Sequence, residues 1–87
     1  PPSIVVDNDS SDSSTIIEVK GYDRLGLLYD VTQVFLRHSL DIKLALITTE
    51  AYRVVDVFYV TDSENNKLDD LAAIERLKAQ LFVMVSK

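Results

Sequence analysis

Apolar and polar residues follow two different periods along this 87-residue chain. A short apolar run, Ile4-Val5-Val6, leads into Asp7 to Ser14, a stretch without one apolar side chain. Beyond it Ile17 and Val19 alternate with Glu18 and Lys20. Successive side chains on a strand point to opposite faces, so the alternation predicts a half-buried strand and the polar stretch an exposed connection. From Leu27 to Leu36 the period lengthens: Leu28, Val31 and Phe35 recur at i, i+3 and i+7, on one face of a helix. Gly26 is a poor interior helix residue and marks the approach to the helix start, while His38-Ser39 marks its end. Ile42 to Thr49 and Val54 to Thr61 are rich in Ile, Val, Thr and aromatics, which predicts two strands. Thr49 to Arg53 is short enough to turn them into an antiparallel pair. Asp62 to Lys67 is a turn, and Asp69 or Asp70 is placed to cap a second helix. In that helix Leu71, Ile74, Lys78, Leu81 and Val85 keep helical spacing, although Leu81 to Val85 alone also fits a strand.

The order strand, strand, helix, strand, strand, helix predicts a two-layer α+β sandwich, since each helix has one apolar stripe to bury against a sheet. Residues 1–14 are expected to be an N-terminal strand and polar linker, and 15–87 the domain proper. The run Ile4 to Val6 can fill the sheet position that a strand after the second helix would otherwise take. Both parities of the later strands are apolar. Val55, Val57 and Tyr59 stand on one, and Val54, Phe58 and Val60 on the other with Asp56 as its polar member. Ile42, Leu44 and Leu46 read as one parity of the preceding strand, Ala45 and Ile47 as the other. Helices cover one face of such a sheet, so an apolar open face is expected to meet a second copy or a neighbouring domain.

Composition narrows the function classes. An apolar share of 47% against 26% charged residues is that of a folded domain. Nine Lys and Arg against 14 Asp and Glu leave a net charge of −5, with the basic residues scattered, which argues against nucleic acid as a partner. No apolar run approaches the ~18 residues of a membrane span, so a soluble, cytoplasmic chain is expected. Without cysteine there are no disulfides, thiolate zinc sites or thiol nucleophiles, and a single histidine, His38, builds no imidazole metal cluster. No cofactor is expected. The chain opens on Pro1 and its one methionine is Met84, as expected of a piece of a longer protein.

Several candidate motifs fail on inspection. Asp7 to Glu18 has acids at the first, third and twelfth positions of a calcium loop, but Asp12 stands where the turn needs glycine and no helix precedes it. Lys20-Gly21-Tyr22 opens like an RNA-recognition motif, which Asp23 and Arg24 then break. His38, Ser39 and Asp41 are too close in sequence for triad geometry, and a histidine in the last helical turn serves the free carbonyls there. Asp56 is either buried with a partner, Arg53 being one candidate, or placed on the open face.

The segment Tyr22 to Leu28 carries a mechanism. A glycine immediately before a helix lets a ligand approach the backbone, and the unpaired N–H groups of the first turn favour a carboxylate. Asp23 or nearby carbonyls can receive an ammonium group, so the corner suits a zwitterionic amino acid. An ordinary strand-to-helix turn explains the same residues.

Thr15-Ile16-Ile17-Glu18-Val19, Asp23-Arg24-Leu25-Gly26-Leu27-Leu28-Tyr29-Asp30 and Val55-Asp56-Val57-Phe58-Tyr59-Val60-Thr61-Asp62 together resemble the ACT-domain family. Within it they are most similar to the C-terminal ACT domain of bifunctional PII uridylyltransferase/uridylyl-removing enzymes. The resemblance covers nearly the whole chain and implies a ferredoxin-like fold, a four-stranded antiparallel sheet with two helices on one face. It also implies a regulatory role in nitrogen sensing, with a small amino acid, glutamine foremost, bound by Tyr22, Asp23, Arg24, Leu25, Gly26, Leu27 and Leu28. A partner's Ile42 and Leu44 would complete that site across a homodimer or a second ACT domain. Catalytic domains would lie elsewhere on the parent chain: Asp7-x-Asp9 lacks the Gly-Ser of a nucleotidyltransferase, and one histidine makes no HD metal site. This stretch alone is therefore expected to be no enzyme. The alternatives are an ACT module that only docks domains or subunits, and an ACT domain of another amino-acid-regulated enzyme. Leu25 stands where the family usually has proline, and Glu50-Ala51-Tyr52 where a turn glycine is common.

Overall fold

The computed structural model describes all 87 residues. Its elements in chain order are β1 (Ser3–Asp7), β2 (Thr15–Tyr22), α1 (Leu27–Arg37), β3 (Asp41–Glu50), β4 (Arg53–Thr61) and α2 (Leu71–Val85). The strands form one sheet in the order β1-β2-β4-β3, antiparallel at every step. Two helices on one face of four antiparallel strands make the expected ferredoxin-like α+β sandwich. β1 pairs with β2 from Ser3 opposite Lys20 to Asp7 opposite Ile16, so the N-terminal strand takes the outer sheet position.

Local side-chain bonds set the corners. Asp7 accepts from the amides of Asp9 and Ser10 and from the Ser10 hydroxyl, folding the chain back after β1. These bonds favour the ionised form, the Ser10 hydroxyl most, and hold the Asp7 carboxyl below its ordinary value. Asn8 then ties the β1–β2 connection to the segment before α2. Its amide donates to Leu68 O, and its Oδ1 accepts from the Thr15 hydroxyl, which accepts from Leu68 N. Asp70 caps α2 by accepting from Ala72 N and Ala73 N, and the helix runs unbroken through Leu81 to Val85.

The inner face follows the strand alternation. Ile17 and Val19 of β2 and Val54, Phe58 and Val60 of β4 meet Leu27, Val31, Val34 and Phe35 of α1 and Leu77, Leu81 and Val85 of α2. Phe35 and Phe58 pack edge to face with centroids 5.0 Å apart, a favourable quadrupole geometry. The α1 stripe differs from the expected one by one residue. Leu28 is exposed, and Leu27 is buried in its place, sharing a face with Val31, Val34 and Phe35 at i+4, i+7 and i+8. His38 does not turn its ring to the helix carbonyls. Its backbone N–H bonds Val34 O and Phe35 O, while ring Nε2 lies 3.0 Å from Gln80 Oε1 and links the two helices.

β3 corrects a second expectation. Ile42 pairs with Val60 and Leu44 with Tyr59, leaving Lys43 as an extra residue in a bulge. The bulge breaks the period-two pattern, so Ile42 falls on the inner face with Val60 and Leu44 on the outer face with Tyr59. They do not share a parity. Every residue of β3, the outermost strand at this edge of the sheet, is exposed.

Candidate functional site

The C-terminal end of β2, the start of α1, the β3–β4 turn and the last turn of α2 meet at one end of the sandwich. Gly21 permits this. A Cβ there would stand 3.1 Å from Val85 Cβ and 3.3 Å from Val85 O, so the closeness of α2 to β2 needs a residue without a side chain. Asp23 N donates to Tyr52 O at 2.7 Å and ties the loop to the β3–β4 turn.

Gly26 precedes α1 with φ 82 and ψ 0, the left-handed region that glycine enters without steric cost. No side chain caps this helix. Leu27 N donates to Arg24 O and Asp30 N to Gly26 O, which leaves the amides of Leu28 and Tyr29 without an acceptor. α2, with Asp70 across the corresponding amides, lacks that opening. Two free donors at the positive end of a helix dipole suit a carboxylate.

Arg24 frames the corner. Its Nη2 donates to Asp30 Oδ2 at 2.8 Å and to Met84 O at 3.0 Å, and its Nη1 to Leu25 O at 3.2 Å. One guanidinium thus joins the loop, the first turn of α1 and the C-terminal turn of α2, where a cation also meets the negative end of the dipole. Its Nε is buried without an acceptor.

The remaining expected site residues scatter. Asp23, Leu25, Gly26 and Leu28 are exposed around the corner, and Leu25 projects fully into solvent. Leu27 is a core residue, 2% exposed, and is occupied by packing. Tyr22 lies on the outer face, where it stacks with Tyr52 at 6.1 Å and carries the Arg53 guanidinium 5.8 Å from its ring centroid. Ile42 and Leu44 stand toward the opposite end of β3. Thr49, paired with Val54 at the loop end, is five residues beyond Leu44, roughly 17 Å along a strand. One chain therefore does not bring Ile42 and Leu44 to the corner. Nor is any of the five surface cavities lined by Tyr22 to Leu28. A cavity of about 200 Å³ between His38, Leu40, Asp62, Leu68 and Asp70 lies at the other end of the helices.

Asp56 stands apart from these residues. It is 5% exposed on the inner face, paired between Val19 and Ile47. Arg53 is not its partner: odd positions of β4 face outward and even ones inward. The one protein donor to the Asp56 carboxylate is Thr48 N, 3.2 Å from Oδ1. Loss of water raises the Asp56 carboxyl above its ordinary value, the Thr48 bond opposes this, and the negative charge of Asp23 adds to it. The signal was present as a lone acid in an apolar strand. Because both parities of β4 are apolar, the strand alone did not say which face the acid takes.

Known proteins agree with this architecture. Residues 10–85 match the ACR family N-terminal ACT domain. The chain is 46% identical over 86 residues to the bifunctional uridylyltransferase/uridylyl-removing enzyme of Gluconobacter oxydans, an alignment covering 99% of this chain and 9% of that protein. It is 47% identical over 82 residues to the protein of the same name from Azospirillum brasilense, covering 94% of this chain and 9% of that protein. The enzyme so named from Caulobacter vibrioides is 36% identical over 86 residues, 99% of this chain and again 9% of the relative. The chain thus spans about a tenth of the length of these relatives, and no solved structure matches it significantly. With its sheet order, its glycine-opened helix and this match over most of its length, the chain belongs to the ACT-domain family.

Proposed function

We propose that this ACT domain is the amino-acid-sensing module of a bifunctional PII uridylyltransferase/uridylyl-removing enzyme, with glutamine as its ligand and nitrogen status as its signal. The observation that carries the reading is the uncapped start of α1, where Leu28 N and Tyr29 N point at no acceptor behind a left-handed Gly26. The ligand carboxylate takes those amides. The catalytic domains lie elsewhere on the parent chain, which works in the cytoplasm, and no helix here is long and apolar enough to cross a membrane. The site is completed by a second ACT domain, whose Ile42 and Leu44 approach the corner from the uncovered β3. Glutamine regulates only by binding one arrangement of the domains better than another.

A thermal-shift panel of the twenty amino acids, paired with sedimentation, tests this reading. A ligand at 100 times its Kd stabilises the folded state by about 2.7 kcal/mol. The expected result is a dimer whose unfolding temperature rises by several degrees with glutamine and less with other amino acids. The second reading, a docking module without a ligand, is favoured by the absence of a cavity at the corner and by the projecting Leu25. A dimer indifferent to all twenty amino acids would establish that reading instead.

A further inference from the structure

We propose that the cavity between the C-terminal end of α1 and the start of α2 is a docking pocket for an arginine side chain projected by a partner protein. The pocket lies at the end of the helices opposite Gly26, and its occupancy is independent of the ligand proposed there.

Shape and size favour a single side chain. Leu40, Leu68, Ile74 and Leu77 form an apolar wall. Leu77 is 1% exposed and Ile74 9%, so the hollow reaches down to the core. At about 200 Å³ it is smaller than the ~300–1,000 Å³ of pockets that enclose whole ligands. One side chain fits such a hollow better than a metabolite does, and buried anchors of this kind, arginine prominent among them, carry much of the energy of protein interfaces.

Charge selects which side chain. Asp62, Asp69 and Asp70 line the same cavity, and the one basic residue beside them, His38, has its ring Nε2 taken by Gln80 Oε1. Asp62 Oδ1 accepts from Glu64 N and Asn66 N, both at 2.9 Å. Asp70 Oδ1 accepts from Ala72 N and Ala73 N at 3.0 and 3.2 Å. Backbone amides thus hold both carboxylates in place, and in each the second oxygen is left to a guest. The ion pairs of the chain, Lys20–Glu18, Arg24–Asp30 and Lys78–Glu75, leave all three acids without a cation. Lys67, close to them in sequence, donates to Asn8 O instead. The positive end of α2 offsets part of the charge on Asp70, and the rim stays acidic. An apolar well under an acidic rim matches a side chain with an aliphatic stem and a cationic head. Arginine fits better than lysine, because its flat guanidinium offers five donors in a fixed fork and is more weakly hydrated.

The test is a titration of the isotopically labelled chain, read by amide spectra, with a blocked glycyl-arginyl-glycine tripeptide. A second tripeptide carries citrulline, which keeps the size of arginine and lacks its charge, and a third carries lysine. The arginine peptide should give saturable shifts at the Leu40, Asp70 and Ala73 amides with a Kd of about 1 mM, the scale of one anchoring side chain. The citrulline peptide should give none. Asp62→Asn combined with Asp70→Asn removes two charges and keeps turn and cap, since asparagine serves at both. It should weaken binding about 3- to 10-fold, the range of two partly exposed ion pairs. Ala73→Leu fills the well, leaves the acids in place and should abolish the shifts; it decides the matter should the double variant fail to fold. Equal binding of the citrulline or lysine peptide would overturn the choice of arginine, and undiminished binding by either folded variant would overturn the pocket. So would the lack of any saturable shift up to about 10 mM arginine peptide, ten times the expected Kd. Shifts of the same amides that grow with the concentration of the chain alone would make a second copy the occupant and overturn the proposal as well.

Discussion

Ala51 holds φ 56 in the β3–β4 turn, a left-handed backbone that costs a residue with a Cβ about 1 kcal/mol. Replacing it with glycine removes that cost at the expense of a more flexible unfolded chain. Ala51→Gly is therefore expected to stabilise the fold by roughly 0.5 kcal/mol, read as a higher urea midpoint at unchanged m-value. A lower midpoint would show that the methyl makes a contact worth more than the strain. Two acids oppose each other with pH. Asp7, depressed by its hydrogen bonds, adds stability above its unfolded value of 3.8 that is lost as pH falls through the folded value. Asp56, raised by burial, does the reverse: its contribution is complete below 3.8 and declines as pH rises toward its folded value. Asp56→Asn should accordingly gain on the wild type in thermal stability between acid and neutral pH. Residues whose role is local were legible in the sequence. Gly26 before a helix, Asp70 at a cap and Asp62 in a turn, accepting from Glu64 N and Asn66 N, all act within a few positions of themselves. Asp56 was visible as an anomaly and no more, because its partner Thr48 comes from another strand.

Helices and strands were legible wherever periodicity had one answer. β2 alternates cleanly, and α2 continues to Val85 because Ile74, Leu77, Leu81 and Val85 keep a single buried stripe. β3 was harder. Lys43 adds one residue to the strand, and nothing within the strand distinguishes an inserted lysine from an outward-facing one. That is why period-two patterning alone puts Ile42 and Leu44 on the same side. The Leu27-for-Leu28 exchange in α1 has a similar origin: adjacent leucines both fit a helical stripe until the exact start of the helix is known. The junction of β2 with α2 yields a test. Gly21→Ala sets a methyl 3.1 Å from Val85 Cβ and against Val85 O, so the last turn of α2 must shift, at a cost of about 1–3 kcal/mol. Adding Val85→Ala should recover none of that loss in equilibrium unfolding, because alanine keeps the Cβ at 3.1 Å and the carbonyl at 3.3 Å. Recovery would show instead that the strain is carried by the valine Cγ1 methyl, 3.8 Å away.

Taken as a whole, the molecule buries one face of its sheet and leaves the other open. Val5, Leu44, Leu46 and Val55 are exposed outward, and β3 offers both an apolar surface and an edge ten residues long. Unprotected edges of that length pair readily with other strands, and apolar areas of this kind mark interfaces. At the Gly26 corner no acceptor within the chain meets the amides of Leu28 and Tyr29. Sequence patterning foretold the spare apolar face, since both parities of β4 are apolar. It did not foretell that Ile42 and Leu44 stand far from the corner in their own chain, because that distance depends on strand register. Amide spectra of the isotopically labelled chain titrated with L-glutamine address the central claim most directly. The account predicts saturable shifts that are largest at the Leu28 and Tyr29 amides, with Gly26 following. Saturable shifts confined to the cavity between His38 and Asp70, or a spectrum that glutamine leaves unchanged, would contradict it.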